Sequence, residues 1–384
     1  MIKNVDIAII GAGPAGAACA LALHNTGLKV TLIDKAKFPR DKICGDAIPG
    51  PAFKVMDKIN KDWGAAMRRI PSRSIIKSSR GFTPKGRSIT FNWKGFTFNS
   101  PRLDFDNFLF DLIQTETGTT IIQDDRVADL KKGEDHINLT LKSGVEINAK
   151  LVIGCDGANS ITSRKLAKYN LSDRPPCSAV RTYYSGVTKV EKSVNEFHFF
   201  NDLAPGYFWI FPVSENTVNV GLGLLTNDTA TRENSHRLRQ KLESILHSNP
   251  NISPRFKEAT QLDKIKGFAL PLGINPTPIS GDRFMLCGDA ASLISPLLGH
   301  GIDTAMISGL QAAEQAKLCF QELDFSSHTM FKYDKAIDKE IRNGFKKGAR
   351  ILKLLVRFPN FLKVIWFLVR FDKTIKWAAR VLKV

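Results

Sequence analysis

Val5-Asp-Ile-Ala-Ile-Ile-Gly-Ala-Gly-Pro-Ala-Gly16 is the stretch that decides the fold. Its first six residues are a short, mostly apolar and β-branched run, the pattern of a strand buried in a parallel sheet. Ala15 to Leu23 is alanine-rich and free of β-branched residues, which predicts a helix stopped at Gly27. A second apolar run, Val30 to Ile33, ends in Asp34, 18 positions beyond Gly16. Strand, glycine turn, helix, strand and acid together make the context that a dinucleotide fingerprint requires. Gly11 permits the tight turn, Gly13 lets the backbone approach a pyrophosphate, and Gly16 lets helix and strand pack closely. The helix N-terminus faces the phosphate charge, and Asp34 is placed to accept from a ribose. The expected ligand is an ADP-containing cofactor; the fingerprint alone does not separate FAD from NAD.

A chain of 384 residues can bury a large core and is expected to hold two domains, or one with an elaborate insertion. Charge is the unusual feature, with 55 Lys and Arg against 37 Asp and Glu. Residues 341–384 carry five Arg, seven Lys and one acid, Asp372, which is +11 of the total +18. Such an excess points to an anionic membrane or a nucleic acid. The six cysteines show neither a CxxC pair nor metal-ligand spacing, so free thiols, a reducing cytoplasm and no metal site are expected. The chain enters a strand almost at once, so no signal peptide is expected, and its longest apolar run near the C-terminus, Val364 to Val369, is too short to cross a bilayer.

Further along, residues 71–100 look like a β-excursion, with short strands at Ser88–Phe91 and Phe96–Phe98. Arg102 opens a helix and reads as a surface or capping residue. Strands are expected at 119–122 and 136–148, with Ser143-Gly144 turning the second into a hairpin. Leu151 to Gly154 is a buried strand that ends in Cys155-Asp156-Gly157, followed by a helix start. Strands with aromatic alternation then run from Ala179 to Leu225, a helix spans Thr231 to Leu246, and a strand resumes at Ile265 to Leu270. Arg283 to Cys287 is another strand ending in an acid, Asp289, and a glycine loop leads from Pro296 to a helix over Ile302 to Leu318. That helix presents free N–H groups and partial positive charge at Gly301; placed under an isoalloxazine ring, that end would stabilise the negative charge of a reduced flavin. From composition alone, Cys44 reads as a small core residue and His300 as a hydrogen-bonded loop residue.

Three separated segments, GAGPAG with Asp34, GCDG at 154–157, and CGDA with PLLGHGI at 287–302, resemble in order and spacing the FAD-dependent oxidoreductases of the aromatic-hydroxylase-like superfamily. KICGDAIPG at 42–50, PGYFWIFP at 205–212 and NVGLG at 219–223 narrow the resemblance to the geranylgeranyl reductase family, over roughly residues 1–325. The resemblance implies an α/β fold: a Rossmann-like FAD-binding domain (1–75, 101–172 and 277–325) with an inserted antiparallel substrate sheet (76–100 and 173–276). Residues 326–384 would follow as basic amphipathic helices. It implies reduction of carbon–carbon double bonds in a prenyl or similar apolar chain, with NADPH or ferredoxin as external electron donor.

Position by position, Gly11, Gly13, Ala15, Gly16, Asp34 and Lys35 would serve the adenosine diphosphate half of FAD. Cys44, Gly45 and Ala47 would line the flavin side, and Arg102 and Val127 would hold the cofactor from the second βα unit. Asp156, Gly157, Asp289, Pro296, Gly299, Gly301 and Ile302 complete the cofactor set. Tyr207, Trp209, Phe211 and Pro212 fall in the substrate-cavity motif, and Cys44 and His300 are the candidates for proton supply. Two positions depart from the family pattern: it often has glycine or glutamate where His300 stands, and a second glycine where Asp46 stands. A flavin monooxygenase or halogenase on the same fold is the alternative, although no lysine is placed as in halogenases. A non-catalytic membrane-bound protein would leave the fingerprint unused. The C-terminal 44 residues interleave basic and bulky apolar side chains at helical spacing, broken at Pro359-Asn360, with Trp366 and Trp377 suited to a headgroup boundary. They are expected to dock a cytoplasmic, peripheral enzyme on an anionic membrane, with a helical cap on the catalytic domain as the competing reading. Nucleic acid is not expected, because the aromatics lie among aliphatics rather than on a polar platform.

Overall fold

The computed structural model describes residues 2–169, 177–203, 206–225, 232–275 and 277–357. Its first sheet has a parallel centre in which Ile2–Ile10 lies between Glu146–Gly154 and Val30–Ile33. Thr120–Ile122 follows beyond Val30–Ile33, and Phe284–Leu286 beyond Glu146–Gly154. Ile7, Ile9, Leu32, Val152 and Ile153 are fully buried because helices cover the sheet, as continuous apolar strands require. The Pro14–Ala22 helix packs directly on the long Ile302–Glu322 helix: a Cβ at Gly309 would lie 2.1 Å from the carbonyl oxygen of Ala15. Only a glycine permits that approach.

Glu146–Gly154 is one strand rather than two pieces. Its first half alternates half-buried and buried residues beside Ile137–Leu141, and its second half is buried on both faces between Ile2–Ile10 and Phe284–Leu286. The hydrophobic period changes in mid-strand, which is why the sequence reads as two elements. Val127–Lys132 is an additional strand, paired antiparallel with Ile137–Leu141. Beyond Gly157 only a single wide turn forms, Ser163–Ala167, in place of a regular helix.

The second sheet is largely antiparallel. Cys177–Ser185, Thr217–Leu225, Gly206–Pro212 and Val194–His198 pair in that order, and Ser78–Phe82 joins parallel to the last of them, followed by Ser88–Asn92. Alternation along the strands gives the sheet two unlike faces. Phe208, Ile210, Val220 and Leu222 pack with Leu238, Leu242 and Ile245 of the Arg232–Ser248 helix. Ala179, Trp209 and Phe211 form a separate cluster on the opposite face, with Ala47, Phe197, Tyr207 and Phe268 against them.

At the C-terminal end of the described chain, the Asn343–Arg357 helix places Ala349 and Leu352 against Leu272, Ile274 and Ile294. The expected second amphipathic segment, Phe361–Arg370, with Trp366, Trp377 and the break at Pro359, lies outside the described residues. Among the described residues no helix is long and apolar enough to cross a membrane, and no His, Cys, Asp and Glu cluster could hold a metal. All six cysteines are free.

Candidate cofactor and substrate site

The carboxyl ends of the parallel strands are tied together by backbone bonds. Gly11 N–H donates to Ile33 O (2.7 Å), Cys155 N–H to Ile10 O (2.7 Å) and Cys287 N–H to Gly154 O (2.8 Å). The glycine turn, GCDG and CGDA therefore share one edge, where open α/β sheets bind ligands. Gly11 has φ of 101° and passes so close to its neighbour that a Cβ would lie 2.3 Å from Cys155 O. A Cβ at Gly16 would lie 1.8 Å from Gly11 O. Gly13 is different: its missing Cβ faces open space, with only Arg40 Nη2 within reach at 3.8 Å. Next to it the Pro14–Ala22 helix begins with no side-chain cap. A cradle with free N–H groups and a guanidinium across it fits a pyrophosphate.

Asp34 is buried, and both of its oxygens are engaged: Ala12 N–H donates to Oδ2 (2.7 Å) and Ala36 N–H to Oδ1 (2.8 Å). The carboxylate is fixed in place, with lone pairs left for ribose hydroxyls. Lys35 beside it is exposed. Asp125 N–H donates to Asp34 O (3.3 Å), which brings the segment leading into buried Val127 to the same corner. Asp156 spends its carboxylate on its own turn, accepting from Ser160 Oγ (2.6 Å) and Thr162 N (3.1 Å). The approach to a ligand is left to Gly157, at φ of 77° and with open space where a Cβ would stand. Asp289 forms an ion pair with Lys42 (3.3 Å).

Arg102 is not a surface or cap residue. It is 2 % exposed and bonds Asp106 through two nitrogens at 2.6 and 2.7 Å, while Arg40 approaches the same carboxylate at 2.9 Å. Burial works against its charge, but Asp106 and the adjacent Cys44 side chain outweigh that and raise its pKa. Burial also works against the Asp106 anion, and the two arginines together with Lys42 hold it below the usual carboxylate range.

The Cys44–Ala47 loop lies on the aromatic face of the second sheet. A Cβ at Gly45 would come 3.3 Å from the Phe211 ring and 3.8 Å from Trp209 Nε1. Asn219 locks the contact: Nδ2 donates to Cys44 O (2.7 Å) and to Asp46 Oδ2 (2.8 Å), and Oδ1 accepts from Trp209 Nε1 (2.9 Å). The Trp209 ring lies over Gly221, where a Cβ would be 2.4 Å from Cζ2. Phe197 meets Tyr207 and Phe211 edge-on at 5.3 and 5.0 Å, and Pro212 O accepts from Asn99 Nδ2 (2.8 Å).

The glycine loop approaches from the other side. Pro296 is buried, Gly299 has φ of 71°, and Tyr207 OH donates to Leu298 O (3.3 Å). Gly301 begins the Ile302–Glu322 helix, and Thr304 Oγ1 donates to Gly301 O (3.2 Å). His300 is half-buried and shares a 2.8 Å contact with Asp303 through Nδ1. Burial disfavours its cation, but Asp303 prevails and raises its pKa.

The structure thus brings the fingerprint, Cys44, the aromatic strand and the glycine loop together. Arg40, Lys42, Tyr183 and Asn219 also reach this centre; Lys42 and Asn219 open the KICGDAIPG and NVGLG motifs, but the sequence assigns none of the four a role. Asn219 left one signal: a polar residue between Val218 and Val220, with Gly221 and Gly223 at strand spacing on the same face.

The class follows from a family model described as "FAD binding domain", which matches residues 4–315. Among relatives, the chain is 30% identical to the digeranylgeranylglycerophospholipid reductase of Methanocaldococcus jannaschii over 86% of this chain and 81% of that protein. It is 29% identical to the menaquinone reductase of Mycobacterium tuberculosis strain H37Rv over 94% and 86%. Among solved structures, a geranylgeranyl bacteriochlorophyll reductase-like protein from Thermoplasma acidophilum superposes with a TM-score of 0.78 at 23% identity, covering 92% and 88%. A flavin-dependent brominase superposes at 0.75 and 21% identity, covering 99% and 93%, which shows a shared fold. The chain belongs to the geranylgeranyl reductase family of FAD-dependent oxidoreductases.

Proposed function

We propose that this enzyme saturates carbon–carbon double bonds of a prenyl or similarly long apolar chain at the contact between the Cys44–Ala47 loop and the aromatic face. That contact carries the reading: a cofactor-bearing edge opens onto Phe197, Tyr207, Trp209 and Phe211, and apolar surface of this kind excludes water and accepts hydrocarbon. The names of the relatives at 29–30% identity, acting on prenyl lipid and on menaquinone, support it.

FAD, when bound and reduced, supplies the hydride. Gly11, Gly13 and Asp34 would hold its ADP half, Arg40 the pyrophosphate, and Asp289 with Lys42 the sugar-like hydroxyls. Gly45, Ala47, Gly299, Gly301 and Ile302 would surround the ring. Asn219 fixes the Cys44 loop to the substrate sheet, Trp209 and Phe211 shape the hydrocarbon slot, and Cys44 and His300 stand as polar groups at its two sides. Electrons come from an external donor such as NADPH or ferredoxin.

The enzyme works beside its lipid, peripherally on the cytoplasmic side of an anionic membrane. Leu298 and Leu354 are 46% and 42% exposed on adjoining elements, where Gly348 packs against Leu297, and Lys346, Lys347, Arg350 and Lys353 are exposed on the same helix. The decisive experiment supplies photoreduced enzyme with a geranylgeranyl phospholipid in the absence of oxygen. A product heavier by two hydrogens is expected. Turnover only with oxygen, and gain of an oxygen atom, would establish the monooxygenase alternative instead.

A further inference from the structure

Asp46 is a wholly buried acid in the loop that carries Cys44, held at φ of 65°. Its Oδ2 accepts from Tyr183 OH (2.6 Å) and Asn219 Nδ2 (2.8 Å). Its Oδ1 is buried with no hydrogen-bond partner among the described residues. An ionised carboxylate is costly where one oxygen is buried and unpaired, and a proton on that oxygen removes the cost. With Oδ2 already taken by two donors, Oδ1 is the oxygen that a proton would occupy.

The surrounding charges agree. Burial is the largest influence on Asp46 and raises its pKa, while Tyr183, Asn219, Arg181 and Arg102 pull it down, leaving it at about 6. Arg181 lies under the Tyr183 ring at 4.2 Å and is tied to Asp41 (2.7 Å) and Asp263 (2.8 Å), both of which Lys266 also meets. Arg102 stands near Cys44 from the helix side. The site therefore accommodates either protonation state: the neutral acid by burial, the anion by two donors and two nearby cations.

We propose that Asp46 holds, at Oδ1, the proton that double-bond reduction consumes. The proposal rests on the prenyl-reductase reading and deepens it. Saturating one double bond takes one hydride and one proton. The π pair forms a C–H bond with the proton as the Asp46 O–H bond breaks, and the hydride forms the second C–H bond with two-electron oxidation of the reduced cofactor. Asp46 is left as a carboxylate held by Tyr183 and Asn219, and it regains a proton from water when product leaves. Because Asn219 Nδ2 binds both Cys44 O and Asp46 Oδ2, the acid is fixed to the loop that meets the aromatic slot.

The test compares wild type with Asp46→Asn, whose side-chain oxygen can keep both accepted bonds and whose residue type tolerates positive φ. FAD content and thermal melting verify that the variant folds and loads. Single-turnover oxidation of the reduced enzyme by geranylgeranyl phospholipid is followed anaerobically from pH 5 to 8. Wild type should slow tenfold per pH unit above the Asp46 pKa, whereas the variant should be at least tenfold slower at pH 5 and flat with pH. Independently of turnover, infrared difference spectra of wild type should show a protonated-carboxyl stretch that fades between pH 5 and 7 and is missing from the variant. A variant that keeps the wild-type pH limb, or a wild type without that band, overturns the proposal. Failure of wild type to reduce the lipid at any pH removes the prenyl-reductase reading first, and this proposal with it.

Discussion

At the scale of single residues, the site depends on groups whose freedom the fold has removed. Gly13 leaves open the space that a pyrophosphate fits, so Gly13→Val should abolish FAD retention while the protein still folds; flavin absorbance after gel filtration reads this directly. Gly11→Ala is a different case, because a Cβ there meets backbone and φ is positive, so melting temperature should fall as well. Asp46 carries a stability cost whose sign follows from its burial. Its folded pKa of about 6 exceeds the reference value of 3.8, so the native state binds the extra proton between those values. Stability should therefore fall as pH rises through that window, by up to about 3 kcal/mol at neutral pH. Asp46→Asn should melt higher than wild type at pH 8 and close to it at pH 4, and calorimetry at the two pH values checks it. His300 has a raised pKa, so its contribution is complete below about pH 6.5 and is lost as pH rises through the folded value.

At the scale of elements, two structures hold the Cys44 loop between the cofactor edge and the aromatic sheet. The first is the helix opening at Arg102. Asp106 neutralises Arg102 in the interior, and Asp106→Ala would leave a buried guanidinium without its main counter-charge. Loss of one partner of such a pair costs about 3–5 kcal/mol, so the variant should unfold at distinctly lower denaturant concentration. The second is the Thr217–Leu225 strand. Asn219→Leu would strand Trp209 Nε1 and Cys44 O, which now have partners there. Each buried polar group left unpaired costs about 1–3 kcal/mol. The expected result is weaker lipid reduction with FAD retained, checked by parallel flavin content and single-turnover rate.

At the scale of the molecule, the proposed docking on an anionic membrane rests on the +11 carried by the last 44 residues. Ala349 and Leu352 pack on the body, so removing the whole segment from Asn343 would expose core. A chain ended after Arg357 keeps that packing and removes only residues 358–384. Each Lys or Arg at an anionic surface contributes about 1 kcal/mol, so the full chain should float with phosphatidylserine vesicles at low salt and release at high salt. The shortened chain should float markedly less. Equal flotation of the two would place the docking surface elsewhere.

The sequence by itself determined the cofactor half of this protein. A dinucleotide turn is local: strand, glycines, helix and acid lie within 34 residues, and glycine spacing reports backbone approach directly. The aromatic strand was legible for a similar reason, since alternation along Gly206–Pro212 states which side chains share a face. Only the tertiary structure decided what faces that strand. Asn219 meets Cys44 and Asp46 from more than 170 positions away, Tyr183 meets Asp46 from 137, and Arg102 turns inward because Asp106 follows at one helical turn inside an apolar surround. No local pattern distinguishes a buried, paired arginine from a capping one, or a proton-holding aspartate from a loop residue. Desolvation and long-range partners make that difference, and they exist only once the two sheets have come together.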